Sequence, residues 1–98
     1  MNVDEISVLI VDSNEHIRWS SDSEAEIGRH VGIRLDPGSL RPLGRVLASK
    51  ERAAVRLTTA EGRKQCWYLV PYQRSRVFCL HERHPPFESW IAVVRDER

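Results

Sequence analysis

Val8 to Gly32, VLIVDSNEHIRWSSDSEAEIGRHVG, joins a strand pair to a short helix through legible turn chemistry, and the fold follows from reading it. Val8-Leu9-Ile10-Val11 is a short apolar run rich in β-branched residues, bounded by Asp12, and reads as a buried strand. The polar block Ser13-Asn14-Glu15-His16 is a turn. Ile17 and Trp19 alternate with Arg18 and Ser20, the period of a second strand with one face covered, so the pair forms an antiparallel hairpin. Ser21 followed by Glu24 has capping-box spacing, where a hydroxyl and a carboxylate satisfy free amides at a helix start. Gly28 then suits a left-handed helix end.

Outward from this unit, Asp36-Pro37-Gly38 is a turn signal, and residues 29–38 read as irregular. Ser39–Lys50 is an amphipathic helix, with Leu40, Leu43, Val46 and Leu47 on one face and Ser39 as its cap. Pro42 is expected in its first turn. From Ala54 the period becomes two. Val55, Leu57 and Thr59 lead to a tight turn at Glu61-Gly62, a long strand spans Lys64–Tyr72, and Arg76–Glu82 supplies another. With two-residue turns, Leu57 faces Cys66, and Cys66 faces His81. One face then shows Val55, Leu57, Cys66, Tyr68, Val70, Val77 and Cys79, and the other Trp67, Leu69, Phe78 and Leu80. Both are apolar, so one should meet the helices and the other a partner or the chain's own end. His84-Pro85-Pro86 breaks the pattern. Phe87–Arg98 reads as helix or strand, with strand favoured by the run Trp90–Val94.

Ninety-eight residues suffice for one domain with a modest core. The 15 basic and 14 acidic side chains interleave to a net charge of +1, which gives no electrostatic reason to expect nucleic acid. No apolar run has membrane-span length, and the first residues lack a secretory pattern, so a cytoplasmic location is the default expectation. Two cysteines do not make a disulfide framework.

The stretch Val8–Gly32 resembles the opening of PAS domains, through Asp12, Ile17, Trp19, Glu24, Gly28 and Gly32. Gly62 and Pro71 are similar to the family's strand-turn glycine and late-strand proline, and VVRDE to the segment leaving the last strand. Departures are Ser20 or Ser21 in place of the usual Asn, a short inter-helix region, and Asp96-Glu97-Arg98 in place of Asp-Ile-Thr. The resemblance implies an α+β fold, a five-stranded antiparallel sheet with short helices on one face. It covers residues 6–82 at least and places a single PAS-like domain at 1–83, with 84–98 a C-terminal strand or helix completing it or leading to a partner. The last strand is either 76–82 or 89–97.

The resemblance also implies sensing, dimerisation or signal relay. No cofactor follows from the residues. The flavin-binding branch carries a reactive cysteine among its central helices, whereas no cysteine occurs between Met1 and Gln65. The haem-binding branch places a histidine on the longest helix; Ser39–Lys50 has none, and His30 reads as a solvated loop residue. A PAS-like interior would be lined by Trp19, Leu43, Leu47, Trp67, Leu69 and Phe78 and would suit a small apolar ligand. Cys66, Tyr68, Val70, Val77 and Cys79 are the candidate interface for a homodimer, with an effector domain or partner protein downstream. Three readings stand side by side: a regulatory module with these contacts, a ligand-free interaction module, and a thiol- or zinc-dependent activity using Cys66, Cys79 and His81, with His84 nearby. Two buried cysteines filling a sheet face explain that last set more simply. No paired carboxylates outside caps and turns suggest an enzyme.

Overall fold

The computed structural model describes residues 6–73 and 88–97. Its sheet contains β1 (Ile6–Asp12), β2 (Ile17–Ser20), β3 (Ala53–Thr58), β4 (Lys64–Gln73) and β5 (Glu88–Asp96). The spatial order is β2-β1-β5-β4-β3, and all neighbours run antiparallel. The last strand therefore lies at the centre, between the first and the fourth. Two short 3-10 helices, Glu24–Glu26 and Val31–Arg34, and one α-helix, α1 (Pro37–Ser49), join β2 to β3.

Asp12 organises the β1–β2 hairpin. Its carboxylate accepts hydrogen bonds from the Asn14 and His16 amides, both at 2.9 Å, and pairs with Arg18 at 2.8 Å. Its backbone N–H donates to the His16 carbonyl, and Glu15 completes the three-residue loop in a left-handed conformation, φ 64°. The alternation expected for β2 fails at Arg18. Ile10 pairs with Trp19, whereas Val11 pairs with Ile17, so one extra residue bulges from β2. The bulge turns Ile17 into the core and Trp19 outward.

Ser21 does not start a helix: its hydroxyl accepts from the Val8 amide at 2.8 Å, and Ser23 occupies the N-cap of the first 3-10 helix. Gly28, at φ 90°, reverses the chain so that its N–H reaches the Ile17 carbonyl. Asp36-Pro37-Gly38 proves to be the start of α1, with Pro37 in the first helical position, where its missing N–H costs nothing. Pro42 consequently falls in the second turn. Lys50 closes the helix at φ 58°.

The β3–β4 connection is longer than two residues. Thr59 N–H donates to the Arg63 carbonyl, Gly62 N–H returns to the Thr59 carbonyl, and Gly62 takes φ 89°. Leu57 therefore pairs with Gln65, and Arg56 with Cys66. That one-residue change moves Val55 and Leu57 to the face shared by Trp67 and Leu69, correcting the expected face assignment. Cys66 itself is flanked by Arg56 of β3 and Arg95 of β5. The proposed strand 76–82, with Val77, Phe78, Cys79 and His81, lies outside the described residues, as does His84.

Leu9, Val11, Ile17, Val31, Leu35, Leu43, Leu47, Leu57, Trp67, Leu69, Trp90, Ala92 and Val94 form one buried cluster, with Leu40, Val46 and Val55 packed against it. Every strand thus contributes its inner face, and the helices cover that face alone.

Candidate functional site

Because the helices cover only the inner face, alternation along the strands leaves a second set of side chains outside. The β registers arrange these in rows across the sheet. One row runs Trp19, Ile10, Ile91, Val70; the next runs Val8, Val93, Tyr68, Ala54. Trp19, Tyr68 and Val70 are each 46% exposed, and Tyr72, one row beyond, is 50% exposed. Val8, Ile10, Ile91 and Val93 are half-buried. The result is a contiguous apolar surface of the kind soluble chains seldom leave bare. Below it, Cys66 lies between Arg56 and Arg95, and Arg56 pairs with Glu97 at 3.1 Å. A side-chain hydrogen bond with Cys66 raises the Tyr68 phenol above the ordinary range.

Of the expected interface residues, Cys66, Tyr68 and Val70 share this outer face; Val77 and Cys79 lie outside the described residues. Of those expected in the interior, Leu43, Leu47, Trp67 and Leu69 come together in the core at 6% exposure or less. Trp19 does not join them, since the bulge at Arg18 places it on the outer face. Phe78 is outside the described residues. Among the described residues, no three His, Cys, Asp or Glu side chains are grouped to hold a metal ion. Cys66 has arginines, not histidine, as its cross-strand neighbours.

Two polar networks were not foreseen. Gln65, 8% exposed, accepts the indole N–H of fully buried Trp67 at 3.1 Å and donates to Asp96 at 2.9 Å. Each partner fixes one end of the amide. Asp96 also meets Arg63 at 3.5 Å. The second network centres on Arg34, which pairs with Asp22 and Glu26. Burial raises the Asp22 pKa, but hydrogen bonds from Ser7, Ser20 and Arg34, with the Arg34 charge, outweigh it and hold the carboxyl at about 2. Asp22, Ser7, Arg63, Gln65 and Asp96 border one polar cleft of about 70 Å³. Arg34 lies in a segment without a clean period, so its pairing left no sequence signal; the outer-face residues of β1 and β5 had one, in the unbroken apolar runs VLIV and WIAVV.

The sheet order, the antiparallel ladders and the one-sided helices define a PAS/LOV-like fold. No protein-family model matches the chain, and the comparison with curated proteins found no match. Among solved structures, it is similar to the LOV domain from the Erythrobacter litoralis EL346 blue-light activated histidine kinase. That likeness has a TM-score of 0.58 at 16% identity and covers 93% of this chain and 94% of the other. Among the described residues, no helix is long and apolar enough to cross a membrane.

Proposed function

We propose that this domain is a non-enzymatic regulatory module that acts by pairing with a second copy through its outer sheet face. The carrying observation is the two-row apolar surface from Trp19 to Val70 and from Val8 to Tyr68. Sequestering it supplies hydrophobic free energy that a lone copy forgoes. A change in how two such sheets pack would bias an effector domain attached to the chain or a separate partner protein. The similar LOV domain belongs to a light-activated histidine kinase, a precedent for coupling this fold to an output.

Tyr68→Glu tests the reading. Tyr68 is half exposed, so a carboxylate there leaves the core intact while placing charge in the paired surface. Sedimentation equilibrium should show wild-type dimers and variant monomers with the same circular dichroism. An unchanged dimer in the variant would move the interface elsewhere.

A second reading, a small and largely apolar ligand in the interior, is favoured by Trp90. Its indole N–H is buried and has no hydrogen-bond partner among the described residues. A ligand carrying one acceptor oxygen would find a donor there, and an unmatched buried donor costs about 1–3 kcal/mol. Mass spectrometry of the native and then the denatured protein detects such a ligand as mass lost on denaturation; no mass lost sets this reading aside.

A further inference from the structure

The two edges of the sheet, β2 and β3, are tied together by the segment 30–35. At one end His16 and His30 form an isolated β-bridge, and the Val31 N–H donates to the Glu15 carbonyl at 2.7 Å. At the other, Leu35 bridges to Thr59, and Ala60 N–H donates to the Arg34 carbonyl at 3.1 Å. Val31 and Leu35 enter the core between these ends. The segment is a strap across the inner face, and its start is capped by an imidazole.

His30 occupies the N-cap of the 3-10 helix Val31–Arg34, and its Nδ1 accepts the Gly32 N–H at 2.9 Å. An imidazole accepts at Nδ1 only when neutral, with its proton on Nε2. Nε2 faces the Glu15 carboxylate at 3.4 Å, which suits that tautomer. The ring also meets His16 edge to face, at 5.9 Å between centroids and 81°. His16 in turn stands 4.0 Å from the Asp12 carboxylate. From α1 the neighbour is apolar: a Cβ built on Gly32 would lie 2.9 Å from both His30 Nδ1 and Leu40 Cδ2. Among the described residues, the charged and titratable groups facing His30 are Glu15 and His16, with Asp12 behind His16.

We infer that His30 is a proton-sensitive latch on this strap, closed by the neutral imidazole and opened by the imidazolium. Protonation places an N–H on Nδ1, opposite the Gly32 N–H at a distance where one of the two must accept. Two N–H groups cannot share that 2.9 Å contact, so the ring leaves the cap. Attraction between the imidazolium and Glu15 opposes this, but both side chains are at least one-third exposed, and exposed ion pairs contribute little. Loss of the cap is the larger effect. Arg34, at the other end of the same helical turn, would lose its fixed approach to Asp22 and Glu26. Acid strong enough to protonate the ring therefore loosens the strap.

The test uses the intact chain and does not depend on dimerisation. Nitrogen-15 spectra of the histidine rings at neutral pH should show Nδ1 of His30 unprotonated; the opposite tautomer would overturn the proposal. Exchange protection of the Gly32 amide, corrected for intrinsic rate, should fall about tenfold between a pH at which those spectra show the ring neutral and one at which they show it protonated. His30→Asn keeps a capping acceptor that does not titrate, and should hold that protection at both pH values. His30→Ala should lack it at both, and His16→Asn should leave the wild-type response in place. A response that persists in His30→Asn, or vanishes in His16→Asn, assigns the switch to another group and refutes the latch.

Discussion

Replacing Gln65 by Leu removes the one side chain that links the buried indole of Trp67 to Asp96 at the end of β5. In the wild type Gln65 spends both of its amide functions, with bonds of 3.1 and 2.9 Å. Leu fits the volume but satisfies neither neighbour. Trp67 is 0% exposed, so its N–H becomes an orphaned donor at a cost of about 1–3 kcal/mol. Asp96 is about one-third exposed and recovers most of its loss from water, adding at most about 1 kcal/mol. The added apolar burial returns roughly 1 kcal/mol. The net loss is about 1–2 kcal/mol, which lowers the melting temperature by about 4–16 °C in a domain of this size. Urea titration followed by far-ultraviolet circular dichroism measures it without relying on tryptophan emission. Trp67→Phe in the same background separates packing from pairing. Once the indole N–H is gone, Gln65→Leu should cost about 1–2 kcal/mol less than it does alone. A Gln65→Leu loss below about 0.5 kcal/mol, or strict additivity in the double variant, would refute the reasoning.

Two further outcomes follow from the described geometry. Asp22 titrates lower in the folded chain than in the unfolded one, where the ordinary value is 3.8. Its contribution is therefore complete above about pH 4 and is lost as pH falls toward 2. The side chain is 44% exposed, so screening limits this to less than about 1 kcal/mol. Asp22→Asn should flatten the acid limb of stability between pH 4 and 2, and superimposable limbs would contradict the assignment. Leu43→Ala, at 1% exposure beneath the sheet, should cost about 2–5 kcal/mol in urea titration; a loss under about 1 kcal/mol would mean that α1 packs loosely there.

The parts of the fold visible in the sequence are those governed by local rules. Val8–Val11 is β-branched and continuous, Asp12 and the residues after it have the chemistry of a tight loop, and Leu40, Leu43 and Leu47 repeat at the helical period. Each signal sits within a few residues and needs no knowledge of the partner. Local rules fall short where one residue decides a register. The bulge at Arg18 reverses Trp19, and the length of the Thr59–Arg63 turn reverses Val55 and Leu57, because strand side chains alternate with a period of two. The central place of β5 was hidden for another reason. Its pairing with β1 joins opposite ends of the described chain, so only the two-sided apolar character of Trp90–Val94 hinted at it.

The same two-sided character made the outer face foreseeable while leaving its membership wrong. Cys66, Tyr68 and Val70 share a face by the period of two along a single strand. Val8, Ile10, Ile91 and Val93 required the observed order β1-β5-β4 to bring them alongside. Gln65 and His30 carried no legible role, since a buried amide and a capping imidazole are defined by what lies across the fold.

Pairing through the outer face is the central claim, and native mass spectrometry of the purified chain at micromolar concentration tests it most directly. The prediction is a species of twice the chain's mass that Tyr68→Glu converts to single chains. A single-chain mass at every accessible concentration would contradict it.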